Sequence, residues 1–160
     1  MGYKIIVTDS QLCSGCRICE LVCSFKHRDV FNPKKSAIRV YRSEPAIDVP
    51  IVCFQCRKPL CADACPTNAI TKKGRLEAIN IVEDLCTGCG RCVEACPFGA
   101  IFIHPNESIP IACDLCGGDP TCIRYCAPQI LKLATEEDLA AAKRETLVGI
   151  MLEREKGVAP

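Results

Sequence analysis

Sixteen cysteines stand in this chain, and they fall into four groups of four with none left over. The first group is Cys13, Cys16, Cys19 and Cys23, spaced C-x2-C-x2-C-x3-C. The second, Cys53, Cys56, Cys61 and Cys65, has four residues in its middle gap, and the fourth, Cys113, Cys116, Cys122 and Cys126, has five. The third, Cys86, Cys89, Cys92 and Cys96, repeats the first spacing and is followed by Pro97. This fourfold repeat is the strongest organisational signal in the sequence.

Thiols at this density form disulfides in short secreted chains, or hold metal. Structural zinc draws two ligands from each of two separated Cx2C knuckles. Groups one and three instead place three cysteines within seven residues and a fourth after three more, the bacterial run for [4Fe–4S] cubanes, including the proline. The regular spacing also opposes an unordered thiolate sponge. A cubane offers four iron corners, and three close cysteines cup one side of it while the fourth corner faces away. In two-cluster ferredoxins the distal cysteine of each run therefore ligates the other cluster. Four [4Fe–4S] clusters are the expected cofactors.

Composition agrees with clusters that substitute for a core. Hydrophobic residues make up 49% of the 160, but sixteen of them are cysteine, tryptophan is absent and aromatics are 5%. Without its clusters such a chain is expected not to fold. The formal charge of +1 gives no nucleic-acid footprint. It counts every thiol as protonated; four thiolates around an oxidised cubane carry about −2, which makes the loaded protein about −7. The N-terminal stretch lacks the apolar run of a signal peptide, and no run of about 18 apolar residues is present, so a cytoplasmic location is expected.

Four motifs with this order and these middle gaps resemble the four-cluster iron–sulfur subunits of molybdenum and tungsten oxidoreductases. The stretch from Cys13 to His27, Cys-Ser-Gly-Cys-Arg-Ile-Cys-Glu-Leu-Val-Cys-Ser-Phe-Lys-His, with Phe31-Asn32-Pro33 and Ser36-Ala37-Ile38-Arg39-Val40, is most similar to the small subunit that accompanies tungsten aldehyde oxidoreductases and to the iron–sulfur partner in benzoyl-CoA reductases. The resemblance implies an α+β fold of two nested bacterial-ferredoxin-like units binding four [4Fe–4S] clusters, to which the residues beyond the last motif add a C-terminal helix. It pairs motif one with motif four and motif two with motif three. Cluster 1 would take Cys13, Cys16, Cys19 and Cys126; cluster 2, Cys113, Cys116, Cys122 and Cys23; cluster 3, Cys53, Cys56, Cys61 and Cys96; cluster 4, Cys86, Cys89, Cys92 and Cys65. The implied outer unit spans residues 1–45 and 106–134, the inner unit 46–105 and a helical tail 135–160. Two departures touch the outer pair: Ser24 follows Cys23 where proline is usual, and Ala127 separates Cys126 from Pro128.

Between the motifs, Tyr3 to Thr8, Ile38 to Arg42 and Val49 to Val52 read as strands, and Ala69 to Ile81 and Ala100 to Ile111 as hairpins. Short helices are expected between third and fourth cysteines, as at Val93-Glu94-Ala95. Thr135 offers an N-cap for a helix to about Lys156, with Leu139, Ala140, Leu147, Ile150 and Met151 along one face. That helix either packs on its own cluster domain or docks on a partner or another copy. His27 and His104 read as surface or turn residues, since all sixteen ligand positions are filled. Arg17, Arg57 and Arg91 lie beside ligands, either as solvated arginines or as charges that raise a local potential. Lys34-Lys35 and Lys72-Lys73 read as solvated turn tips.

No nucleophile–base pair, phosphate loop or flavin motif is found, so catalysis is expected elsewhere. The first reading is a fixed relay for a large tungsten- or molybdenum-pterin catalytic subunit, foremost an aldehyde oxidoreductase, with a benzoyl-CoA reductase or another molybdopterin enzyme second. A flavin-containing subunit is a further candidate partner, as is self-association through the C-terminal helix. The alternatives are a freely diffusing polyferredoxin and a head-to-tail conducting filament. No nucleic acid and no membrane span are expected.

Overall fold

The computed structural model describes residues 4–8, 12–44, 47–135, 137–141, 144 and 148. Its strands are short and all pair antiparallel, in four separate two-stranded sheets. Strand β1 (Lys4–Thr8) pairs with the last strand, β8 (Leu131–Thr135), in a register that sets Lys4 against Thr135 and Thr8 against Leu131. The other three sheets are hairpins: β2 (Arg39–Ser43) with β3 (Ile47–Ile51), β4 (Ile70–Lys73) with β5 (Ala78–Ile81), and β6 (Phe102–Ile103) with β7 (Pro110–Ile111). β-Branched residues such as Ile5, Ile6, Val40, Ile70, Ile79 and Ile81 favour the strands, and Gly74, at φ 78°, turns the second hairpin.

Four helices carry the third cysteine of each motif: α1 (Ile18–Arg28), α2 (Leu60–Asp63), α3 (Arg91–Ala95) and α4 (Thr121–Arg124). Three are about one turn long. A proline follows Cys65 and Cys96 directly and Cys126 after one residue, which bars the helix from continuing. Ser24 takes that place in α1, and this helix runs on to Arg28. Its end is closed by Asp29, at φ 53°, whose N–H donates to the Phe25 carbonyl. Lys26, His27 and Arg28 fill its last turn, where the helix dipole favours cations. Buried Ser24 ties down the return: its hydroxyl donates to the Leu21 carbonyl and accepts from the Asn32 N–H at 3.1 Å.

Helix α1 packs against α4, and α2 against α3. The larger core joins Ile6, Ile38, Val40, Val52, Ile111, Leu115, Ile130 and Leu131 with cysteines of motifs one and four. A smaller one holds Ile70, Ile79, Cys92 and Ile101. Glu20, buried on α1, accepts the Val40 N–H at 2.8 Å and so fastens the helix to β2. The tail helix opens at residues 137–141, capped by reciprocal bonds: the Thr135 N–H and hydroxyl donate to the Asp138 carboxylate, and the Asp138 N–H to the Thr135 hydroxyl. The expected continuation to Lys156, with Leu147, Ile150 and Met151, falls largely outside the described residues.

Candidate metal centre

The four cysteine groups share one scaffold. The first two cysteines precede a helix, the third lies in it and the fourth comes four residues later, one turn on within α1 and just past the helix end in the other three. A C-x3-C pair can therefore reach two neighbouring sites at once. In α1, Cys19 and Cys23 are both buried on its inner face.

Cavities gather these thiols in fours. One is lined by Cys13, Cys16 and Cys19 together with Cys126. A second brings Cys86, Cys89 and Cys92 to Cys65. The third, of about 260 Å³, joins Cys53, Cys56 and Cys61 to Cys96, beneath the paired rings of Phe54 and Phe98. The remaining cysteines, Cys23, Cys113, Cys116 and Cys122, lie close enough for their charges to act on one another. The same interactions order the quartets in a row. Cys19 acts on Cys122, Cys53 on Cys113 and Cys61 on Cys92, linking the Cys13 quartet to the Cys113 quartet, that one to the Cys53 quartet, and that to the Cys86 quartet.

Burial keeps these thiols neutral unless a cation takes the place of their protons. Burial, followed by neighbouring charges, pushes the thiols of Cys19, Cys53 and Cys122 up to about 12, and Cys113 also rises through burial. Clustered thiolates are stable here only around a positive centre. Iron must displace their protons, so its affinity rises with pH throughout the range below those values. Backbone donors await the thiolates: the Gln55, Ala69 and Leu115 N–H groups approach Cys53, Cys65 and Cys113 Sγ at 3.4, 3.2 and 3.4 Å. At Cys65 burial is outweighed by the Thr67 hydroxyl and nearby N–H groups, which lower the thiol. The residues thus fit four [4Fe–4S] clusters, whose one-electron chemistry they would insulate and tune.

Exposure separates the thiols. Only Cys16 and Cys89 are exposed, one in each quartet at the ends of the row.

Several sequence expectations change in detail. His27 is exposed, yet its Nε2 lies 3.5 Å from both Cys116 Sγ and the Asp114 carboxylate; the bond to Cys116 holds the imidazole above its ordinary value. His104 is a turn residue, as expected, but buried, its Nδ1 accepting the Asn106 N–H. Lys35 is not a solvated tip, because its Nζ pairs with Glu107 at 2.7 Å. Lys72 is half-buried and donates to the Gln55 carbonyl. Arg17 donates to the Val40 carbonyl at 3.3 Å. The contact of His27 with Cys116 and the bond that Gln55 Nε2 donates to the Cys113 carbonyl had no sequence signal, since these partners lie 89 and 58 positions away.

Comparison with known proteins gives the same picture. Residues 52–100 match the 4Fe-4S dicluster domain family. The chain is 42% identical, over 76% of its length and 70% of the relative's, to the polyferredoxin-like subunit of an aliphatic sulfonate oxidoreductase from Pyrococcus furiosus. It is 30% identical to formate hydrogenlyase subunit 2 of Escherichia coli, covering 88% of this chain and 86% of that one. Among solved structures, a chain of the active site complex BamBC of benzoyl coenzyme A reductase with 1,5-dienoyl-CoA superposes with a TM-score of 0.50 at 26% identity, over 84% of this chain and 76% of that one. No helix among the described residues is long and apolar enough to cross a membrane.

Proposed function

This chain belongs to the family of polyferredoxin-like [4Fe–4S] subunits of oxidoreductases, and from that premise we propose that it is a fixed relay, taking electrons in at one end of a row of clusters and giving them out at the other. The proposed ligand sets are Cys13, Cys16, Cys19 and Cys126; Cys113, Cys116, Cys122 and Cys23; Cys53, Cys56, Cys61 and Cys96; and Cys86, Cys89, Cys92 and Cys65. Support for them comes from the three cavities lined by such quartets and from the mutual charge effects in the remaining one. They make two nested units, motif one with motif four outside and motif two with motif three inside, in keeping with the packing of α1 on α4 and α2 on α3. The observation that carries the relay is the exposure of Cys16 and Cys89 alone among sixteen thiols, at opposite ends of the row. The protein covers the middle and opens the ends.

The catalytic partner in this reading is a large tungsten-pterin subunit that oxidises aldehydes or runs the reverse reduction. The Cys13 to His27 motif supports that choice. A sulfonate-linked oxidoreductase is the second reading, favoured by the Pyrococcus relative. Anaerobic purification from the native host tests both: a stable complex with a pterin-containing chain is expected, whose substrate then reduces the clusters. An aldehyde or an aliphatic sulfonate as that reductant decides between the readings. A lone 17.4 kDa protein that exchanges electrons with several enzymes overturns the relay in favour of a diffusing carrier.

A further inference from the structure

Each cysteine loop contains the same left-handed kink. The residue just before the second cysteine has a positive φ in all four: Gly15 at 65°, Gln55 at 50°, Gly88 at 68° and Leu115 at 58°. Glycine adopts this conformation freely, whereas a side chain disfavours it. In the loops of the two end quartets glycine is also demanded by crowding. A Cβ on Gly15 would collide with the Asp48 carboxylate, and one on Gly88 would lie 2.9 Å from the Ser108 carbonyl oxygen. The two middle loops accept the strain and carry a large residue instead, with both side chains fully buried.

Leu115 is accounted for by the apolar core it joins. Gln55 is a buried polar group and needs another explanation. All of its hydrogen-bonding groups are engaged. Its N–H points to Cys53 Sγ at 3.4 Å, its Nε2 donates to the Cys113 carbonyl at 2.6 Å, its Oε1 accepts the Ile79 N–H at 2.8 Å and its carbonyl accepts from Lys72 Nζ at 3.3 Å. One residue thus spans from a cysteine of the third quartet to a cysteine of the second, where the outer and inner units meet.

We propose that Gln55 is the positioning residue for the central electron step, a strut of fixed length that sets both the separation and the bonded path between the second and third clusters. The inference rests on the ligand sets proposed above. One electron would pass between the clusters that these two ligand sets hold, oxidising one and reducing the other, with no bond broken and no proton transferred. Tunnelling falls steeply with separation, and a continuous run of covalent and hydrogen bonds from Cys53 through the Gln55 side chain to Cys113 carries it better than loose apolar contact. Strain and a buried amide are both tolerated because no glycine could hold this span.

Two variants of the loaded chain test the strut. Gln55→Met keeps the volume and removes the side-chain hydrogen bonds, while Gln55→Gly installs the residue of the end loops and relieves the strain. Both are expected to retain all their iron and unchanged potentials at the end clusters. Spin–spin coupling between the middle clusters in partly reduced protein should weaken. Photoreduction followed by visible bleaching should show a new slow phase, on the order of tenfold slower, because small displacements of a reacting pair are heavily penalised. Unchanged coupling and kinetics in both variants, with or without lost stability, would overturn the proposal, as would loss of iron from both. The ligand sets are checked separately with Cys113→Ser and Cys53→Ser. Perturbation of two different cluster signals keeps the assignment, and perturbation of one shared signal defeats it whatever the Gln55 variants do.

Discussion

The two halves of this molecule hold the same cofactor in different surroundings. Around motifs one and four, an eleven-residue helix, the β1–β8 sheet and seven of the eight buried large aliphatic residues of the larger core enclose the thiols, and Cys19, Cys23, Cys113 and Cys122 are all buried. Around motifs two and three, two short helices and three isoleucines do the same task, and Cys92 alone is buried. Three isoleucines cannot offset the conformational entropy of ordering some fifty residues. On the proposed ligand sets, the outer half has a protein core to which clusters would be added, and in the inner half the clusters would be most of the core.

Removing the iron is the most forceful way to break this contrast. Chelation under oxidising conditions should abolish the fold, and during partial loss the amides of Ile79 and Ile101 should lose hydrogen-exchange protection before those of Ile6 and Leu131. The reverse order would mean that the inner half stands on its own packing. Single ligands probe the same difference at smaller scale. Cys19→Ala should release one cluster, about four irons, and leave the rest in place. Cys61→Ala should release the neighbouring inner cluster too, because little apolar structure remains to hold it; iron analysis with electron paramagnetic resonance reads the outcome, and equal losses would erase the asymmetry. The smallest effect sharpens the outer half alone. Glu20→Ala leaves the buried Val40 N–H without its acceptor and should cost about 1–3 kcal/mol, read as a lower denaturation midpoint of the loaded protein, while Glu20→Gln should recover much of it.

Much of this was legible from residue order, and what was not follows a rule. The strands at Ile38 to Arg42 and Val49 to Val52 and the hairpins at Ala69 to Ile81 and Ala100 to Ile111 are where alternation and turn residues put them, because hairpin pairing is local. Helix α1 is longer than a C-x3-C pair suggests, since the absence of proline at Ser24 removes the stop that shortens the other three. Pairing of β1 with β8, the bond from His27 to Cys116 and the reach of Gln55 to Cys113 join residues far apart in sequence, and composition contains no record of them. Lys72 misleads for a related reason: a charged residue is read as solvated, yet it satisfies the Gln55 carbonyl, as Glu20, which carried no sequence signal, satisfies the Val40 N–H.

The meeting of Lys4 with Thr135 also sets an order of manufacture. A chain leaving the ribosome has both inner hairpins in hand long before its final strand emerges, and closing so large a loop is the slowest step available to it. The sheet that joins β1 to β8 is therefore expected to close late, after the local hairpins have formed.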